Sequence, residues 1–490
     1  MQTLETGSDP EDVAPRFVTG SLLRHVVVMA GAGAIGLIAI FGVDLINLVY
    51  ISYLNDPQIT AAIGFAGGIG FFYISVMIGL TIGVSAVVAR NIGAQKRERA
   101  ERIASASLAW VGLTTIAMAL ASALFAPQLA GLLGAQGQAR ELAGGFLRNT
   151  ALSIPLLALG MVGTALLRSV GDARRAMNVT LIAAGATTVL DPILIFYFHL
   201  GLTGAALSMD LSRALLAYAA WRGITQAHHL IAPVASVRWL ADIRPVLPIA
   251  FSAVLTNLAT PFGQAFVTHA MARFGPLAVA GQLTIDRISP VAFGLIFALT
   301  GAVGPIVAQN YGAQKPERVV KTLRASLLFV TLTVGAAWIM LALGQGALVR
   351  LFQAHGETEI LLRFFCRYLA GGFFFAGCLF VANTSFNNLS QPFLATAFNW
   401  GRATLGTIPF VLIGVRYGPI GVMSAQTAGS VVFGIIALAV AFRVAARPKV
   451  EPLFASDRAK GDGVALAAMP QSSGRSAIAA FLTRRLRRSN

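Results

Sequence analysis

Apolar residues run on in long unbroken stretches along this chain instead of alternating with polar ones. Twelve such stretches are read as helices that cross a bilayer: 25–50, 61–88, 103–126, 145–169, 177–199, 203–222, 245–273, 279–308, 322–344, 358–386, 393–415 and 419–443. Each reaches the roughly 20 residues a helix needs to span a hydrocarbon core. A barrel is disfavoured, because its strands alternate apolar and polar positions over about ten residues. The longest internal break, about 223–244, divides the spans six and six. The pattern therefore predicts an all-α polytopic membrane protein. Its parts are an N-terminal segment 1–24, a six-helix bundle 25–222, a linker 223–244, a second bundle 245–443 and a basic, flexible tail 444–490.

Composition agrees with the pattern. Of 490 residues, 56% are hydrophobic and 12% charged, against about 25% charged in soluble domains. So few charges cannot cover the surface of a soluble protein of this length. Soluble enzymes, nucleic-acid binders and disordered scaffolds drop out. The net charge of +17 resides in alternate loops and the tail. Arg90, Lys96, Arg97, Arg99 and Arg102 follow the second span; Arg168, Arg174 and Arg175 follow the fourth; Lys315, Arg318, Lys321 and Arg324 follow the eighth. By the positive-inside rule both termini lie in the cytoplasm, and the chain is a multi-pass protein of the inner (plasma) membrane. The charge then answers to anionic lipid, with no nucleic acid as partner. Glu5, Asp9, Glu11 and Asp12 make the N-terminus too acidic for a cleavable signal. Cys366 and Cys378, twelve apart in one span, cannot pair with each other. No histidine or cysteine spacing fits a metal, and no nucleophile constellation fits an enzyme, so neither catalysis nor a cofactor is expected.

A repeat adds the most specific signal. Ala89–Arg99 (ARNIGAQKRER) and Ala308–Arg318 (AQNYGAQKPER) agree at eight of eleven positions, at an offset of 219. The same offset aligns Pro57 with Pro276. Six spans per copy is even, so the two copies share one orientation across the membrane. Transporters built from parallel repeats bind substrate between the halves and rock them to alternate access. Within each loop, Gly93 and Gly312 are expected to permit a tight helix exit.

At these residues the chain resembles the multidrug and toxic compound extrusion (MATE) transporters. The paired loops carry the resemblance, with Arg168–Ala173 (RSVGDA) after the fourth span and Asp191–Ile195 (DPILI) in the fifth. The resemblance covers about residues 20–445. It implies two six-helix bundles in a V and export of organic, often cationic, compounds by H⁺ or Na⁺ antiport. The transporter is expected to act as a monomer.

Acids inside spans are the candidate chemistry, because an ionisable residue in a bilayer is costly to keep. Asp44 has no basic residue within helical reach and Asn47 one turn away. It fits either a carboxyl that loads and releases a proton or an oxygen ligand of Na⁺. Asp191 precedes Pro192, which frees a carbonyl one turn back, and Thr187 offers a hydroxyl there. The resemblance strengthens both acids, because the DinF-like branch of the family pairs an acid in span 1 with an aspartate in span 5. That branch often has Asn where this chain has Thr187. The NorM-like branch carries acids in spans 7 and 10; here span 7 offers neutral Asn257 and Gln264, and span 10 offers Asn383. This favours coupling by the first half, and H⁺ over Na⁺. Asp210 and Arg213, three apart, are expected to form an internal ion pair. Asp286, beside Arg287, is a candidate for a second-half role. Gly31–Gly36 spells GxGxxG, but inside an apolar span it reads as helix packing and not as a dinucleotide loop. The other functional reading is a lipid-linked oligosaccharide flippase of the same wider superfamily. A cationic central cavity would favour it, and the middle of the second half has few Lys or Arg.

Overall fold

The computed structural model describes residues 15–52, 57–132 and 134–447. Every regular element among these is helical. The first half holds α1 (Leu22–Ser52), α2 (Pro57–Gly93), α3 (Arg97–Leu132), α4 (Gly137–Ala151), α5 (Ile154–Ser169), α6 (Ala173–Pro192) and α7 (Gly201–Arg222). A short α8 (Trp239–Ile243) lies in the linker. The second half holds α9 (Leu247–Ala272), α10 (Pro276–Ala292), α11 (Gly294–Gly312), α12 (Pro316–Leu351), α13 (Glu357–Phe364), α14 (Phe373–Asn388), α15 (Pro392–Ala403), α16 (Ile408–Gly414) and α17 (Gly418–Ala446).

These helices make twelve crossings in two six-crossing bundles. Several are broken spans. α4 and α5 form one crossing bent by 52°, and α10 and α11 another bent by 51°. α13 and α14 form a third, joined through one turn of π and one of 3-10 helix over Phe365–Gly372. The 55-residue apolar stretch Pro392–Ala446 reverses at Gly418, whose φ is +79°, so α15–α16 and α17 are two crossings. The offset of 219 places the α4–α5 break at Leu152 and Ser153 opposite Gly371 and Gly372 in the second half. The α10–α11 break has no such counterpart: α2 runs through that region without interruption. Pro290 lies one turn before it and has no N–H to donate, which loosens the helix there.

The seven most apolar stretches and the two bent pairs leave out α7 and α9. Their polar content explains this. α7 carries Ser208, Asp210, Ser212 and Arg213; α9 carries Thr256, Asn257, Thr260, Gln264 and Thr268. Polar groups at bilayer depth need protein partners, so these two helices are drawn to the interior and bring chemistry with them. By contrast α2, α3 and α12, with 37, 36 and 36 residues, are about 55 Å long at 1.5 Å per residue and overrun the ~30 Å apolar core. The aromatic run at the start of α14 packs inward: Phe373 stacks on Phe293 with ring centres 4.1 Å apart.

Candidate functional site: a crossed gate and buried acids

The repeated loops meet each other at the Arg- and Lys-rich end of the helices. Each helix stops in a Schellman motif: Lys96 N–H donates to the Asn91 carbonyl and Gln95 N–H to that of Ile92, while Lys315 and Gln314 do the same to Asn310 and Tyr311. The left-handed residues are Gln95 (φ 59°) and Gln314 (φ 56°). The expected role for Gly93 and Gly312 is therefore corrected. They do not make the turn; they let two backbones cross. A side chain on Gly93 would collide with the Gln309 carbonyl, and one on Gly312 with the Arg90 carbonyl. Position 93 corresponds to 312 and position 90 to 309, so the contact is reciprocal, as in a two-fold interface.

Side chains extend the same exchange. Arg90 Nη1 donates to Ser390 Oγ at 2.8 Å and Nη2 to the Asn387 carbonyl at 3.2 Å. Gln309 Nε2 donates to the Ser169 carbonyl at 2.7 Å. Each half thus reaches the loop at the end of α5 or α14 in the other. The segment before α1 straps the junction. Phe17, 2% exposed, donates its N–H to Gln309 Oε1 at 3.0 Å and accepts from Asn310 Nδ2 at 3.1 Å. Arg16 donates to the Gly171 carbonyl at 3.0 Å. Arg318 Nη2 donates to the carbonyls of Phe17, Thr19 and Gly20 at 3.0–3.2 Å. This end is closed.

A charged cluster sits beside it. His228 Nε2 and Arg175 Nη1 each donate to Asp172 Oδ2 at 3.0 Å. The His228 hydrogen bond, outweighing burial and aided by Arg175, holds the Asp172 carboxyl down at about 2 from an ordinary 3.8.

Of the predicted acids, Asp44 lies on α1 with Asn47 one turn on, but their side chains fall outside the described residues. Asp191 closes the last regular turn of α6, before a π-helical turn over Ile193–Tyr197. It is 1% exposed, and neither carboxyl oxygen has a hydrogen-bond partner. Ser208 of α7 stands beside it, its own hydroxyl also unpartnered. Thr187 does not reach toward it, since its hydroxyl donates to the Ala183 carbonyl at 3.1 Å. Asp210 and Arg213 attract each other, as expected, but their side chains do not come within ion-pair distance. Arg213 Nη1 instead donates to Ser153 Oγ at 2.8 Å, because the α4–α5 break turns that serine toward α7. Asp210 Oδ1 is left without a hydrogen bond.

In the second half Asp286 is the centre of an amide chain. Gln282 Nε2 donates to Oδ1 at 3.1 Å and Gln264 Nε2 to Oδ2 at 2.5 Å. Gln426 Nε2 in turn donates to Gln264 Oε1 at 3.2 Å. α9, α10 and α17 converge here. Gln282 and Gln426 give no signal in the sequence, because neutral amides carry no charge. The helical spacing of Asn257, Thr260, Gln264 and Thr268 on α9 was the legible clue. Among the described residues no three His, Cys, Asp or Glu side chains gather to hold a metal ion.

The MatE family model matches residues 33–193 and again 252–413, starting points that differ by the same 219 residues as the repeated loops. A protein named FAD transporter from Shewanella oneidensis is 27% identical over 397 residues, which is 80% of this chain and 88% of the relative. Multidrug export protein MepA of Staphylococcus aureus is 26% identical over 278 residues, 55% of this chain and 60% of MepA. Among solved structures, an outward-facing multidrug resistance MATE family transporter superposes with a TM-score of 0.84 at 21% identity, over 89% of this chain and 98% of that one. A mutant of the Vibrio cholerae MATE transporter VcmN gives 0.82 at 22%, over 87% and 97%. These structures share the fold.

Proposed function

The chain belongs to the MatE family, and on that premise we propose that it is a secondary exporter of small organic compounds driven by inward cation flow. The two bundles rock about the crossing of α2 and α11, so that a site between them opens to one side at a time. The basic end faces the cytoplasm and carries both termini, in the inner (plasma) membrane, and the transporter acts as a monomer. The closed gate then corresponds to a conformation shut toward the cytoplasm. The names of the relatives, one an FAD transporter and others multidrug exporters, support an organic solute as substrate.

Coupling is assigned to Asp44 and Asp191, with Asn47 in support and Asp210 as a further candidate in the same half. One observation carries this reading: the Asp191 carboxyl is buried with no hydrogen-bond donor on either oxygen. A carboxyl kept without partners at that depth is poor packing and good ion exchange: it takes up a cation when its surroundings close and releases it when they open. The neutral Asn257, Gln264 and Asn383, where the NorM-like branch carries acids, favour H⁺ over Na⁺. The test is uptake of an organic cation by proteoliposomes, with a pH gradient compared with a Na⁺ gradient. Asp44→Asn and Asp191→Asn should fold and lose gradient-driven transport. Wild-type rates from Asp44→Asn would overturn the assignment.

A further inference from the structure

Two charges of opposite sign reach one face of α9, and among the described residues neither meets a counter-charge. Gln264 holds Asp286, as described above. One turn earlier, Thr260 Oγ1 accepts a long 3.4 Å hydrogen bond from Arg402 Nη2 of α15. Four residues on a helix rise about 6 Å, so the two partners lie on the same stripe and one turn apart. Arg402 Nε is buried with no partner, and among the described residues no carboxylate lies within ion-pair distance of it. Among the described residues Asp286 is met only by the amides of Gln264 and Gln282. The adjacent Arg287 makes no ion pair with it and is exposed.

An intramembrane charge without a counter-charge costs several kcal/mol even after relaxation. Such a pair persists where something else supplies the counter-charges. The amides orient the carboxylate without neutralising it, and the long Thr260 contact leaves most guanidinium donors of Arg402 unspent. The α10–α11 bend, absent from the first half, angles the helix that carries Asp286. We propose that Asp286, Arg402 and the α9 stripe between them form a substrate subsite for organic zwitterions. A cationic group is taken at Asp286, and a carboxylate or similar anion at Arg402. This rests on the exporter reading and gives it a substrate class.

The test is equilibrium binding to purified full-length protein in detergent, followed by fluorescence anisotropy, with three dyes of one skeleton. Rhodamine B carries a cation and a free carboxylate, its ethyl ester keeps only the cation, and fluorescein keeps only the anion. Rhodamine B should bind at least about tenfold tighter than either. Arg402→Gln should bring it down to the level of the ester, Arg402→Lys should keep most of the preference, and Asp286→Asn should bring it down to the level of fluorescein. Where Asp286→Asn does not fold, Arg402→Gln and Arg402→Lys decide the matter. Rhodamine B that binds no tighter than its ester or not at all, or Arg402→Gln that binds it like wild type, overturns the proposal. No gradient is applied, so a failure of coupling at Asp44 and Asp191 leaves this readout intact, and a negative result here leaves coupling untouched.

Discussion

Gln309 ties three segments together at the closed end, and its removal gives a measurable shift. Its side chain is fully buried; it accepts from Phe17 N–H and donates to the Ser169 carbonyl. Gln309→Ala leaves both backbone groups without partners while the gate stays shut. Each buried unsatisfied group costs about 1–3 kcal/mol, so the shut state loses about 2–6 kcal/mol. Once the gate opens, water reaches both groups and the penalty vanishes. The open-to-shut ratio should therefore rise roughly 30-fold or more, at tenfold per 1.4 kcal/mol. Nitroxide labels on Glu98→Cys and Glu317→Cys report this, because both positions are exposed and equivalent in the repeat, and the native cysteines are buried. Pulsed dipolar spectroscopy in micelles should show a long-distance population growing at the expense of the short one. A monodisperse Gln309→Ala protein with an unchanged distance distribution would refute the reasoning.

Three further outcomes follow from the same end of the molecule. Gly312→Val should abolish the short-distance population outright, since the Arg90 carbonyl leaves no room for a side chain. Arg318→Ala removes charged donors from three strap carbonyls at a partly exposed site, so it should act mildly. Amide exchange at Phe17 should quicken about tenfold, for about 1.5 kcal/mol lost, without loss of the fold. Asp172 ionises at about 2 in the folded chain against an ordinary 3.8, so its stabilising effect is complete above that ordinary value and fades as pH falls toward 2. The melting-temperature advantage of wild type over Asp172→Asn, present at neutral pH, should close over that acid window.

Much of the architecture was legible because bilayer physics leaves few choices. Long apolar runs can only be spans, and an offset repeat with six spans a side can only be parallel. The breaks within spans were not legible: Phe365–Gly372 carries Arg367 and the pair Gly371 and Gly372 but no proline, and such residues also occur in unbroken helices. Gly93 and Gly312 stood out correctly, but their reason did not, since a glycine near a helix end looks alike whether it turns the chain or admits a neighbour. Asp210 and Arg213 had the right spacing to pair, and Ser153, sixty residues away in sequence, took the donor. Asp286 announced itself as an acid, whereas its partners Gln282 and Gln426 are neutral, and only the fold brings α10 and α17 to α9.

The reciprocal crossing also bears on how the gate opens. Gly93 lies against Gln309 and Gly312 against Arg90, so a slide that relieves one contact displaces its copy by the same amount. An interface built from two equivalent halves loses its contacts in pairs, and a partly slipped arrangement keeps neither the backbone fit nor the side-chain bonds. The linker joins in: Ala232 N–H donates to Ser105 Oγ at 2.9 Å and Asp242 lies 3.8 Å from Arg102, so the entry segment of each half is held by the other. Opening at this end is then expected to be cooperative, because the paired contacts break together. For the gradient-driven carrier proposed above, such paired contacts would work against a half-open passage that leaks ions, before any single residue acts as a plug.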